Sequence, residues 1–126
     1  MAEIQEVEQQ GWVLRLRYPP RPRPDAPLVV MLHGWTGDER SMWVFAPRLP
    51  QDAVLVAPRG PYPAAQGGYS WHPMRPRETR WPGMDDFIPA ARELLALLDG
   101  WVDLQADRRS FHLAGFSQGA AMAAAL

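Results

Sequence analysis

Cysteine is absent from this chain. Its absence excludes disulfide crosslinks, a thiolate nucleophile and a cysteine zinc site, so any covalent catalysis has to rest on another side chain, with serine the natural candidate. An excess of charge is missing too. The 13 Lys and Arg stand against 14 Asp and Glu, and a net charge of -1 supplies no electrostatic footprint for nucleic acid or an anionic membrane surface. No apolar stretch approaches the length of a membrane span. The N-terminus, Met1 to Glu6, is acidic where a secretory signal is basic and then apolar, so a cytoplasmic location is the default expectation.

What is present suffices for one packed domain. The 126 residues are 47% hydrophobic and 21% charged, too apolar for disorder and long enough to bury a core. Residues 3 to 18 read as two short antiparallel strands around a Gln10-Gly11 turn, with Trp12, Leu14 and Leu16 alternating against Val13, Arg15 and Arg17. The following PPRPRPDAP, residues 19 to 27, lacks the donors for a regular ladder and is expected as a stiff surface connection; a ligand for a proline-binding domain is the alternative.

Leu28 to Leu32, Ala53 to Ala57 and Phe111 to Phe116 run apolar without alternation, as strands buried on both faces do. Between the first two, Met42, Phe45, Ala46 and Leu49 are spaced for one face of a short helix ending near Pro50. Between the second and third, Asp85 and Asp86 open a helix that aligns Phe87, Ala91, Leu94, Leu95 and Leu98. Strands alternating with helices predict an α/β architecture: a mostly parallel sheet, an antiparallel N-terminal hairpin, and helices on both faces. Residues 58 to 84, rich in Pro and Gly, form the one long irregular stretch, and loops of that length are usually functional or disordered.

Gly115-Phe116-Ser117-Gln118-Gly119 fits the nucleophile-elbow pattern G-x-S-x-G, and it lies between an apolar strand and the helix-forming Ala120 to Leu126, the setting that pattern requires. A serine on a sharp strand-to-helix turn is lifted clear of the sheet. The residues two before and two after it approach too closely to carry a side chain, hence the glycines. The helix start aims unpaired N–H groups at the reacting atom, so the Gln118 N–H is placed to hold a developing oxyanion. The bland reading is a serine that merely caps a helix.

Leu32-His33-Gly34-Trp35-Thr36-Gly37-Asp38 directly follows the first buried strand and shares the carboxyl edge of the sheet with the elbow, where ligands bind in open parallel sheets. The second oxyanion N–H is expected from Trp35, with Thr36 as the fallback. Tyr62, Tyr69, Trp71 and Trp81 are candidates for the wall of an acyl pocket, and Thr36, Tyr69 and Trp71 are the expected substrate contacts. Arg75, Arg77 and Arg80 read as a solvated face.

With these residues in view, the chain resembles the phospholipase/carboxylesterase group of α/β-hydrolases, which includes acyl-protein thioesterases and bacterial serine esterases. LHGWTGDE at 32 to 39, VAPRGPYP at 56 to 63, Gly68-Tyr69-Ser70-Trp71 and LAGFSQGA at 113 to 120 carry the resemblance. It implies an α/β-hydrolase fold read from its N-terminus through the elbow. It also implies hydrolysis of small carboxylic esters or thioesters without cofactor or metal, a nucleophile at Ser117, an oxyanion hole at Trp35 and Gln118, and a structural role for His33.

The departure from such enzymes is severe. Their acid and histidine follow the serine in the order Ser, Asp, His, yet only nine residues follow Ser117 and none is either type. The triad Asp and His are therefore expected outside this sequence, and little activity is expected from the chain alone. Of the three histidines present, His112 is expected within the core and His72 is the one candidate substitute base. A non-catalytic fragment or binding module is the rival reading, and self-association through an open sheet edge is expected of either.

Overall fold

In the computed structural model, which describes residues 3–73 and 82–126, the chain starts with a hairpin. β1 (Gln5–Gln9) and β2 (Trp12–Arg17) are joined by Gln10 and Gly11, whose φ values of 50° and 82° give the two successive left-handed residues that a tight hairpin loop needs. β2 alternates as expected: Trp12, Leu14 and Leu16 are buried, while Val13, Arg15 and Arg17 are half-buried.

β3 (Leu28–Leu32) and β4 (Val54–Pro58) are buried at every position. Their pairing is parallel, with Leu28, Val29 and Val30 opposite Val54, Leu55 and Val56. β2 joins β4 antiparallel, and the last strand, β7 (Phe111–Gly115), joins β3 parallel, so the five-stranded sheet runs β1-β2-β4-β3-β7. On one face Leu28, Val30, Leu32, Val54 and Val56 pack against α1 (Met84–Gly100) and α2 (Gln118–Ala125); on the other, Val29, Met31, Leu55 and Ala57 pack against a 3-10 helix (Ser41–Arg48). Two-sided cover is why these strands carry no polar alternation.

Four expectations need correction. The segment after β3 is a 3-10 helix rather than an α-helix; Pro47 lies inside it and has no N–H to donate. Only Met42 and Ala46 of its expected apolar face are buried, because Phe45 turns out against Phe116 at 6.2 Å between ring centroids and Leu49 is half-buried at the cap. In α1 the buried stripe passes through Phe87, Ala90, Ala91, Leu94, Leu97 and Leu98, which leaves Leu95 on the exposed shoulder. Finally, β7 is not buried on both faces, and His112 is exposed rather than set in the core. Among the described residues β7 has a strand neighbour on one side only, and no described helix covers His112 from the face it shares with Val29.

Within the long irregular stretch the chain makes a second hairpin that the sequence reading did not anticipate. β5 (Tyr62–Pro63) pairs antiparallel with β6 (Tyr69–Ser70), and Gly67 and Gly68, at φ values of 102° and 67°, turn the chain back. Trp81, Arg75, Arg77 and Arg80 lie outside the described residues.

Candidate active site

β7 ends at Gly115, and two residues later Ser117 adopts φ 56° and ψ −116°, a left-handed conformation that a non-glycine residue holds only where its surroundings impose it. The imposition is visible on both sides. A Cβ on Gly115 would sit 2.5 Å from the Gly119 carbonyl oxygen, and one on Gly119 would strike the backbone carbonyl of Leu32. The missing side chains thus let α2 begin in contact with the end of β3. Ser117 occupies the N-cap of α2, yet its side chain makes no capping hydrogen bond. The plain capping explanation of this serine therefore fails, and its hydroxyl is left without a partner among the described residues.

The loop after β3 lies beside this turn. A Cβ on Gly34 would meet the Phe116 carbonyl oxygen at 3.2 Å, the Phe116 ring at 3.3 Å and the Ser117 Cβ at 3.5 Å, so a side chain there would press on the elbow. Gln118 opens α2, a position whose N–H has no partner inside its own helix. The Trp35 N–H has no acceptor among the described residues. Thr36, with φ 69°, is different: its N–H donates to the Tyr69 carbonyl at 3.0 Å, while the Tyr69 N–H donates to the Gly37 carbonyl at 2.8 Å. The fallback donor is therefore already engaged in holding the loop to β6. Gly68 completes this clamp, since a Cβ there would collide with the Thr36 carbonyl.

Sequence reading did not anticipate what fixes these loops to one another. The Gln118 side-chain oxygen accepts the Trp71 N–H at 2.8 Å and the Ser70 hydroxyl at 3.3 Å. Trp71 in turn donates its indole Nε1–H to the His33 carbonyl at 2.8 Å and stacks at a tilt on the His33 ring, with centroids 4.9 Å apart. Trp71 is fully buried, also packing on Trp12, so it holds the loops together instead of presenting a face to a ligand. Tyr69 is half-buried beneath the Arg59 guanidinium, 4.6 Å from its ring centroid, and Thr36 is exposed.

His33 is fully buried. Its Nε2 accepts the Gly60 N–H at 2.8 Å, so the ring proton belongs on Nδ1, which donates to the Gly34 carbonyl at 2.6 Å. Burial lowers its pKa, because the charged form has lost its water. A neutral imidazole with both nitrogens engaged orders the loop and is not free to act as a base. His72 is also turned away from this role: its Nδ1 lies 2.9 Å from the Pro73 carbonyl and its ring meets Phe87 edge-on at 5.4 Å.

The remaining anchor is an ion pair. The Arg59 Nε donates to Glu39 Oε2 at 2.9 Å and Nη2 donates to Oε1 at 2.7 Å. That pair of bonds holds the Glu39 carboxyl down to about 2 and raises Arg59 further above its already high value. Both residues lie within the stretches 32 to 39 and 56 to 63 singled out from the sequence. Opposite charges at the two loop exits were the available signal.

The Phospholipase/Carboxylesterase family model matches residues 20–126, a span containing both loops and the elbow. The chain belongs to this family. Among solved structures, the carboxylesterase from Mesorhizobium loti superposes with a TM-score of 0.76 at 22% identity, over 98% of this chain and 57% of that one. The Bacillus cereus carboxylesterase gives 0.75 at 24% identity, over 93% and 53%. Esterase PE8 gives 0.58 at 29% identity, over 86% and 55%. The chain therefore spans little more than half the length of these family-like folds. A comparison with curated proteins gives no match. Among the described residues, no helix is long and apolar enough to cross a membrane.

Proposed function

We propose that this chain is the N-terminal, nucleophile-bearing portion of a serine hydrolase acting on carboxylic esters or thioesters. The observation that carries the reading is Ser117: a left-handed, uncapped serine between two glycines that tolerate no side chain, with its Cβ close to Gly34 of the neighbouring loop. In this reading the Ser117 Oγ attacks the acyl carbon, and the N–H groups of Trp35 and Gln118 hold the oxygen as it becomes negative. The tetrahedral species collapses to an acyl-serine as the C–O or C–S bond breaks. The leaving alcohol or thiol takes up a proton, and water then releases the acid and restores the serine. Thr36 and Tyr69, tied to one another by the Thr36 N–H, are the substrate contacts in this reading, and Trp71, bonded to Gln118 and His33, holds the loops that carry the oxyanion donors.

Such a serine also needs a base to take its proton. His33 is occupied on both nitrogens, and among the described residues no histidine bonds the Ser117 hydroxyl. Turnover by the 126-residue chain alone is accordingly expected to be slight, sustained only by the oxyanion donors and binding. A fluorophosphonate probe tests the reading, because it phosphonylates an activated serine without requiring turnover. Slow labelling confined to Ser117, read by peptide mass spectrometry, is the expected result; labelling spread over other serines and absent from Ser117 would refute it.

A further inference from the structure

The two N–H groups assigned above to the oxyanion belong to segments far apart in sequence, Trp35 on the loop after β3 and Gln118 at the start of α2. Two donors hold one oxygen only at a suitable separation. Among the described residues no backbone hydrogen bond runs directly from residues 33 to 37 to residues 117 to 119. Gly34 and Gly119 allow the two segments to approach closely, but contact alone does not stop them from parting.

Tyr69, Ser70 and Trp71 bridge them. At the loop end the Thr36 N–H donates to the Tyr69 carbonyl, the Tyr69 N–H to the Gly37 carbonyl, and the Trp71 indole to the His33 carbonyl. At the elbow end there is one acceptor, the Gln118 Oε1, which takes the Trp71 N–H at 2.8 Å and the Ser70 hydroxyl at 3.3 Å. The bond from Trp71 is the stronger of the two. Ser70 has a single hydroxyl proton, and the His72 carbonyl, at 3.0 Å, lies nearer to it than Gln118 does. A backbone N–H can only donate, so the side-chain oxygen of Gln118, not its nitrogen, has to face Trp71.

We infer that the Gln118 side chain is a positioning residue: by accepting the Trp71 N–H it ties the elbow to the oxyanion loop through residues 69 to 71, and so sets the separation of the Trp35 and Gln118 N–H donors. The inference rests on the serine-hydrolase reading above. Gln118 then contributes twice, its N–H to the oxyanion and its side chain to the distance at which the other donor stands. Glutamate would offer the same acceptor, but it would bring a negative charge to the residue whose N–H has to stabilise one. Coupling of this kind is reciprocal. If the tie favours the donor geometry, an oxygen held by the donors favours the tie.

Fluorophosphonate labelling of the 126-residue chain tests this in two ways. Gln118→Met keeps an unbranched side chain and the N–H at the start of α2 while removing the acceptor. Labelling of Ser117 is then expected to slow about tenfold or more, since misplaced donors stabilise the developing charge poorly. The second measurement needs no substitution, so it decides even if Gln118→Met fails to fold. In the phosphonylated parent, hydrogen exchange of the Trp71 amide is expected to slow by about threefold or more, beyond any change at Val30 in β3, the reference for global stability. A side chain that merely supports the fold would leave Trp71 exchange untouched by phosphonylation. Labelling of Gln118→Met at the parental rate, or Trp71 exchange that ignores phosphonylation, would overturn the inference and leave the serine-hydrolase reading standing. A parent chain unlabelled at Ser117 would overturn both.

Discussion

Arg59 grips Glu39 at two points across a separation of 20 residues, with Nε and Nη2 on opposite carboxylate oxygens. The Glu39 carboxylate is almost fully enclosed while Arg59 keeps a partly wet flank, at 3% and 29% side-chain exposure. Removing the acid thus strands a cation beside Tyr69, and removing the cation strands a buried carboxylate. The second is the worse outcome. Arg59→Met is expected to destabilise the fold by about 2 to 4 kcal/mol and Glu39→Gln by about half as much, read from urea unfolding midpoints. Equal and negligible losses would show that the pair holds nothing together.

Acid sensitivity should follow from two groups with a common sign. His33 stays neutral in the fold below the pH at which the unfolded chain takes up a proton, so its contribution is complete above about 6.5 and is lost as pH falls. Glu39 keeps its charge in the fold down to about 2 against 4.5 when unfolded, so its contribution is lost between those values on further acidification. Unfolding free energy measured against pH is expected to decline gently below neutrality and more steeply below about 4.5. Glu39→Gln should flatten the lower limb and spare the upper; an unaltered lower limb would remove Glu39 from this account.

Ser117→Ala is expected to abolish fluorophosphonate labelling while leaving the far-ultraviolet circular dichroism unchanged and the unfolding free energy within about 0.5 kcal/mol of the parent, since the hydroxyl makes no capping bond and bonds no other described residue. Loss of structure along with labelling would point to a structural serine instead.

Gly34→Val crowds the Phe116 backbone and ring and the Ser117 Cβ, pressing the loop that carries Trp35 away from the elbow. Labelling of Ser117 is expected to slow by about a hundredfold or more, the usual loss when one oxyanion donor is displaced, with most of the stability retained. Gly119→Ala should behave in the opposite way, because its Cβ meets the rigid carbonyl of Leu32 and α2 must shift off β3. A protein that tolerated Gly119→Ala without loss of stability would contradict the tight elbow.

The fold was legible wherever one physical signal dominated. Runs such as Leu28 to Leu32 and Val54 to Val56 carry no polar residue because both faces are covered, and Gln10-Gly11 marks a turn by its chemistry. Misreadings arose where cover was partial. Phe111 to Gly115 has the composition of a strand buried on both faces, yet His112 and Leu113 are exposed, and the 3-10 helix around Pro47 shares its apolar spacing with an α-helix. At the candidate site, Ser117, Gly34, Trp35 and Gln118 could be singled out from local motifs. The roles of Trp71, Glu39 and Arg59 could not, because each depends on a partner at least 20 residues away.

Those long reaches also set an order of events in folding. Gln118 meets Trp71 across 47 residues, Trp71 meets His33 across 38, and His33 meets Gly60 across 27, so none of these bonds can form as local structure does. Closing such loops is slow and is rewarded only when the sheet between them exists. A ribosome that has released β3 and β4 but not yet Gln118 carries a nascent chain whose reactive corner is still unassembled. The loops around Ser117 then become ordered only after the strands that carry them, and they report any fault in what was built before them.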